Sequence, residues 1–164
     1  MRELVLGIGG NQGNRIENLS KARKMIEHKL GKIILVSSLI ESEPWGFVSD
    51  NWFLNQVLMV DCEHRPQQVL ANIHIIEEAF GRIRTGEYTD RTIDIDILFY
   101  GNLNEQDAKL KIPHPHLHKR RFVIEPLAEI LPDFIHPHFQ KSCKELLLEC
   151  SDTTSSRWLS HERD

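Results

Sequence analysis

Apolar and polar positions along this chain recur with two periods, and the switches between them mark out its elements. Leu4 to Ile8 reads as a strand ending in Gly7-Ile8-Gly9-Gly10-Asn11-Gln12-Gly13-Asn14. That stretch has neither GxGxxG spacing nor a Gly-Lys-Ser/Thr ending, so it is read as a tight strand-to-helix turn, with Asn14 or Asn11 near a helix cap. Ile16, Leu19, Ala22, Arg23, Ile26 and Leu30 follow at helical spacing until Gly31. A second strand is predicted from Ile33 to about Ser42, and a third from Trp52 to Val60. In the third, Phe53, Asn55, Val57 and Met59 share one face, with Leu54, Gln56, Leu58 and Val60 on the other. Pro66 opens a long second helix through Val69, Leu70, Ile73, Ile76, Glu77 and Phe80, closed by Gly81.

Arg91 to Tyr100 reads as the central strand, with Ile93, Ile95 and Ile97 on a buried face and Asp94 and Asp96 on the other. Asn102 to Lys109 is a polar turn, Leu110 to Pro113 a short strand, Val123 to Ile130 a short helix, and Lys141 to Cys150 a final helix. Ser151 to Asp164 is polar and predicts a frayed tail. The order β-α-β-β-α-β is that of the ferredoxin-like, split βαβ class: an α+β fold whose antiparallel sheet carries helices on one face, here with extra C-terminal segments. The fold hosts many functions and names none.

At 164 residues the chain is expected to be one domain. A net charge of −4 argues against broad affinity for nucleic acid or anionic membranes, so any phosphate site must be a local cluster. Cys62, Cys143 and Cys150 are odd in number and without CxxC spacing, which points to reduced thiols and a cytoplasmic location.

The chemistry concentrates around Asp94 and Asp96. Alternate strand positions put their Cα atoms roughly 6–7 Å apart, close enough to repel unless a cation intervenes. Magnesium takes one or two protein carboxylates and completes its shell with phosphate oxygens, and a pair of metals suits phosphoryl transfer. Arg82, Arg84 and Arg91 lie within reach in sequence. The same pattern also describes an ordinary half-solvated strand; the arginines tip the balance. Asn55 among apolar neighbours needs partners, and its amide suits the edge of a heterocycle. Trp45 and Phe47 sit in a Pro-Gly loop, where aromatics either cover something or fold back on the core. Taken alone, His74 and Glu77 read as solvated. The alternating histidines His114, His116 and His118 carry only a weak zinc signal, since prolines interrupt them and no cysteine accompanies them.

The run Arg91-Thr92-Ile93-Asp94-Ile95-Asp96-Ile97-Leu98 resembles the signature of the 6-hydroxymethyl-7,8-dihydropterin pyrophosphokinase family of the folate pathway. Gly7 to Asn14, Ser42 to Gly46, Phe53-Leu54-Asn55, Arg82 and Arg84, Pro113-His114, Arg120 with Phe122, and Pro126-Leu127 follow the family's order and spacing across residues 4 to 135. The resemblance implies transfer of the pyrophosphoryl group of ATP to the pterin hydroxymethyl oxygen, with AMP released. Asp94 and Asp96 would hold two Mg²⁺ ions, and Arg82 and Arg91 would be catalytic. ATP, as co-substrate, would meet His74, Glu77, Arg82, Arg84, Arg91, Ile97, His114 and Arg120. The pterin would lie among Ser42, Glu43, Pro44, Trp45, Phe53, Asn55 and Phe122. The partners expected are small molecules, with no nucleic acid, no membrane and a monomeric chain.

The chain departs from the family pattern where Tyr88 replaces a loop tryptophan and no proline precedes Arg91. Glu43 and Lys111 also differ from the usual residues. Two rival readings are a two-metal nuclease or phosphohydrolase, which the acidic charge disfavours, and a non-catalytic regulatory module, for which three arginines and paired aspartates would be wasteful.

Overall fold

The computed structural model describes residues 2–82 and 86–159. Its core runs β1 (Arg2–Gly10), α1 (Arg15–Lys29), β2 (Gly31–Val36), β3 (Ile40–Ser42), β4 (Phe53–Cys62), α2 (Pro66–Ala79) and β5 (Asp94–Tyr100). A hairpin of β6 (Glu105–Gln106) and β7 (Lys111–Ile112) follows, then a short 3-10 turn at Leu117–Lys119. The chain continues through α3 (Arg121–Ile130), α4 (Cys143–Glu149) and β8 (Ser156–Trp158). The main sheet is ordered β5-β1-β4-β3-β8, with β2 also paired to β4, and its pairings are antiparallel. With β2 and β3 counted as one interrupted strand, this is the ferredoxin-like order.

Local chemistry accounts for the boundaries. Asn14 caps α1, its Oδ1 accepting from the Glu17 N–H at 3.1 Å. Gly31 turns the chain straight into β2 at φ 142°, where a Cβ would lie 2.0 Å from the Asp61 carbonyl oxygen. The predicted second strand breaks at Ser37, whose Oγ accepts from the Val57 N–H at 2.9 Å and so takes over a ladder position. Beside it, Arg23 Nη1 donates to Gln56 Oε1 at 2.7 Å, and Gln56 Nε2 donates to the Ser37 carbonyl. A buried polar chain therefore pins α1 to β4 and to this break.

The sheet is covered on both faces, not one. Leu19, Ala22 and Ile26 of α1 and Val69, Ile73 and Ile76 of α2 pack with Leu4, Leu6, Leu58 and Val60. Val123, Ile124 and Leu127 of α3 and Cys143 and Leu146 of α4 pack with Val5, Val57, Met59 and Phe99 on the opposite face. The C-terminal segments expected as extras are this second layer. The tail also departs from expectation: Ser156–Trp158 pairs with Ile40–Ser42 as the outer strand, a short polar strand that no periodicity announces. Among the described residues, no helix is long and apolar enough to cross a membrane.

β5 forms the other edge of the sheet. Its register against β1 slips by one residue: Val5 faces Phe99, Leu6 faces Ile97, and Leu98 is left over as a bulge. The edge is closed by side chain and main chain together, since the Ile95 N–H donates to Glu77 Oε2 at 3.0 Å and the His114 N–H donates to the Leu98 carbonyl at 3.0 Å.

Candidate active site

Asp94 and Asp96 stand on the face of β5 that looks toward α3, opposite Gly9 and Gly7 of β1. Gly9 in turn pairs with Asn55 of β4. Two strand spacings therefore separate Asp94 from Asn55, about 10 Å, and the floor between them is bare main chain. That bareness is required at Gly9, where a Cβ would lie 2.5 Å from Asn55 Oδ1. The Asn55 amide nitrogen donates to Ser42 Oγ at 3.0 Å and to the Ile40 carbonyl at 3.4 Å. Its Oδ1 is thereby turned over the glycine floor.

Three guanidinium groups close in on the aspartates. Arg82 Nη1 lies 2.6 Å from Asp94 Oδ1 and 3.6 Å from Glu77 Oε2. Arg91 Nη2 lies 3.2 Å from Asp94 Oδ2, while Nη1 donates to the Thr89 carbonyl. The Arg91 guanidinium also stacks on Phe53, 4.9 Å from the ring centre. Arg120 reaches Asp96 at 3.9 Å, donates to the Tyr88 hydroxyl at 2.9 Å and lies 4.5 Å above the Trp45 ring. The Nε atoms of Arg91 and Arg120 are buried without an acceptor. Buried charged donors in that state call for an anion with several oxygens.

Asp96 keeps 31% of its side chain open to the cleft, yet burial and the neighbouring Asp94 push its carboxyl up to about 7 against the pull of Arg120. A cation between the carboxylates would relieve that repulsion. His114 is held down at about 3 by burial and by Arg120. Its Nδ1 accepts from the His116 N–H at 3.1 Å, which assigns the remaining ring hydrogen to Nε2. The ring is thus a neutral donor on the cavity wall.

Asn11 ties the surrounding loops together. Its N–H donates to the Arg91 carbonyl at 2.9 Å, its Oδ1 accepts from the Arg91 N–H at 2.8 Å, and its Nδ2 donates to Asp90 Oδ1 and to the Asn51 carbonyl. Hydrogen bonds from Ser49 and Asn11 hold the Asp90 carboxyl below its usual range. A cavity of about 320 Å³ opens beside Arg82, Arg91, both aspartates, His114 and Arg120. A second space, about 30 Å³, lies between Phe53 and Phe122 and shares the aspartates with the first.

Residues 5–132 match the model of the 7,8-dihydro-6-hydroxymethylpterin-pyrophosphokinase (HPPK) family. The chain belongs to this family. It is 41% identical over 145 residues to the 2-amino-4-hydroxy-6-hydroxymethyldihydropteridine pyrophosphokinase of Aquifex aeolicus, covering 88% of this chain and 90% of that one. The enzyme of the same name from Porphyromonas gingivalis is 38% identical, with 84% and 95% covered. Among solved structures, Plasmodium falciparum HPPK-DHPS superposes on 90% of the chain with a TM-score of 0.75 at 18% identity. An HPPK-DHPS crystallised with substrates gives 0.74 at 16% identity. At that identity the likeness speaks for the fold, and the chain spans only 43% of those longer proteins.

Within this HPPK fold, Arg82, Arg91, Asp94, Asp96, His114 and Arg120 line one cavity. Ser42, Glu43, Trp45, Phe53 and Phe122 line the smaller one; Pro44 lies in the same loop, and Asn55 is bonded to Ser42. Arg84 lies outside the described residues. The Ile97 side chain is buried in the layer under α2, so only its main chain is available to a ligand. His74 is half-buried on α2 and lines neither cavity. Glu77 is not solvated: it is buried, holding β5 and Arg82 in place. The histidines of the His114–His118 run form no metal site, and among the described residues no group of three or more His, Cys, Asp or Glu does so. Asn11, Gly9 and Asp90 were not predicted as site residues; the run Gly9-Gly10-Asn11 at a strand end was the available signal.

Proposed function

We propose that this chain transfers the pyrophosphoryl group of ATP to the hydroxymethyl oxygen of 6-hydroxymethyl-7,8-dihydropterin, releasing AMP. The observation that carries the reading is the row Asp94, Gly9, Asn55 with the unpartnered Arg91 and Arg120 Nε donors above it. On this reading a polyphosphate site and a heterocycle site lie one bare strand apart. Asp94 and Asp96 would hold two Mg²⁺ ions, whose bound charge offsets that of the polyphosphate; magnesium needs no third protein carboxylate.

Arg82 and Arg91 are, on this reading, the parts that move. Arg82 and Arg91 now neutralise Asp94, and both turn to the phosphate oxygens when the carboxylate is otherwise neutralised, so a charged partner is exchanged at each end. The swing also lifts the Arg91 guanidinium from Phe53, where a 30 Å³ space is too small for a pterin. The pterin ring then stacks between Phe53 and Phe122, and Asn55 Oδ1 accepts from its polar edge. Arg120 and the His114 Nε2–H donate to the nucleotide. The chemistry rests on positioning and electrostatics, without a covalent nucleophile. On this reading the protein is a cytoplasmic monomer whose whole site comes from one chain.

The test is product identity. Purified protein with ATP, Mg²⁺ and the hydroxymethyl-dihydropterin should release AMP only when the pterin is present. ADP in its place would overturn attack at the β-phosphorus.

A further inference from the structure

We propose that residues 150–159, beyond the family match, brace the two walls of the pterin slot and so set pterin affinity. The inference rests on the function proposed above. One wall is Phe122 at the start of α3. No side chain of the cap residue Arg120 serves that helix end; the first N–H, from Arg121, donates instead to Asp152 Oδ2 at 3.0 Å. Arg121 Nε donates to the Asp152 carbonyl and Nη2 to the Cys150 carbonyl, both at 3.0 Å. Asp152 Oδ1 in turn takes the Thr154 N–H at 3.0 Å and its hydroxyl at 2.6 Å, fixing the turn that follows.

The other wall is Ser42 with Asn55 and Phe53. Here the same segment continues as β8 and pairs Ser156 with Ser42 and Trp158 with Ile40. The Glu43 N–H donates to the Ser155 carbonyl and the Leu159 N–H to the Leu39 carbonyl, each at 3.0 Å. Between them Arg157 Nε meets Glu41 Oε1 at 3.0 Å, a buried carboxylate that Arg15 holds from the other side at 2.7 Å. Asp152 and Ser155 are three residues apart, so their Cα atoms can separate by at most about 10–11 Å. The helix bearing Phe122 and the strand bearing Ser42 are thus tied to one short tether. Neither wall can move away from the other without breaking the cap at Arg121 or the ladder at β3.

The experiment compares full-length wild type with Asp152→Ala, which removes the cap, and Arg157→Pro, which removes a ladder N–H from β8. Pterin binding is read by its fluorescence with Mg²⁺ and a non-hydrolysable ATP analogue, and binding of the analogue is read separately. Each variant should weaken pterin binding by about five- to tenfold, the worth of a lost cap or ladder bond, and change analogue binding by less than about twofold. Pterin affinity unchanged in both, or a parallel loss of pterin and nucleotide, would overturn the brace. Hydrogen exchange on the wild type needs no variant: pterin added to the nucleotide-loaded protein should slow exchange at the Arg121 and Glu43 amides, and unchanged rates would also overturn it. A wild type that binds no pterin at all would sink the underlying function as well, whereas normal wild-type binding with unaltered variants removes the brace alone.

Discussion

Replacing Glu77 should separate the two tasks of its carboxylate. The side chain is 2% exposed, accepts from the Ile95 N–H on the outer edge of β5 and faces Arg82 at 3.6 Å. In Glu77→Ala the Ile95 N–H is left buried without that acceptor, which costs about 1–3 kcal/mol. The lost side-chain methylenes add about 1 kcal/mol. Arg82 keeps Asp94 at 2.6 Å, so the full penalty of an orphaned charge does not arise. The sum is about 3 kcal/mol. Glu77→Gln keeps an acceptor of the same reach and should cost only about 1 kcal/mol. With a urea slope of about 2 kcal/mol/M, the unfolding midpoint should fall by about 1.5 M for the alanine variant and about 0.5 M for the glutamine. Equal shifts in the two variants would refute the hydrogen-bond account of this residue.

The other predictions concern the floor, the acids and a distant histidine. Gly9→Ala forces a Cβ to within 2.5 Å of Asn55 Oδ1 and should weaken pterin binding about tenfold or more. Gly7→Ala meets only Leu98 at 3.5 Å and should bind normally, so equal affinities in a fluorescence titration would contradict the floor. Asp94→Ala and Asp96→Ala should each cut AMP formation at least about a hundredfold while circular dichroism stays native; activity within tenfold of wild type would remove the metal assignment. His136 is buried, and burial followed by His118 and His138 holds its pKa down to about 4. The unfolded chain therefore binds the extra proton between about pH 6.5 and 4, and stability must fall as pH drops through that window. His136→Asn, which keeps an acceptor for the His138 and Phe139 amides, should reduce the loss between pH 7 and 5 by about 2 kcal/mol in urea melts.

What the sequence disclosed follows from period. Asp94 and Asp96 were legible because alternate residues of a strand share a face, and the faces of β4 were legible for the same reason. Glu77 was misread because helical spacing cannot tell a charge turned toward a neighbouring strand edge from one turned to water. β8 was invisible because Ser156, Arg157 and Trp158 carry no alternation; its pairing is decided by the open edge of β3, a long-range fact. The second helical layer went unplaced because α3 and α4 announce apolar stripes but not which side of a sheet will receive them. Asn11 joins loops 40 and 79 residues away through one amide, and no local pattern encodes such contacts.

The single unpaired residue in β5 acts as a change of phase within one strand. Above Leu98 the even-numbered residues Asp94 and Asp96 look toward α3; below it the odd-numbered Phe99 does, and Tyr100 turns back under the sheet with Ile95 and Ile97. Without that offset, strict alternation would turn Tyr100 toward α3 beside the aspartates and send Phe99 under the sheet. The leftover residue also lends its carbonyl to the His114 N–H, so the step that lets the lower strand serve packing is the one that anchors a wall of the 320 Å³ cavity. Chemistry and cohesion thus occupy opposite ends of seven residues, with the join between them carrying weight for both.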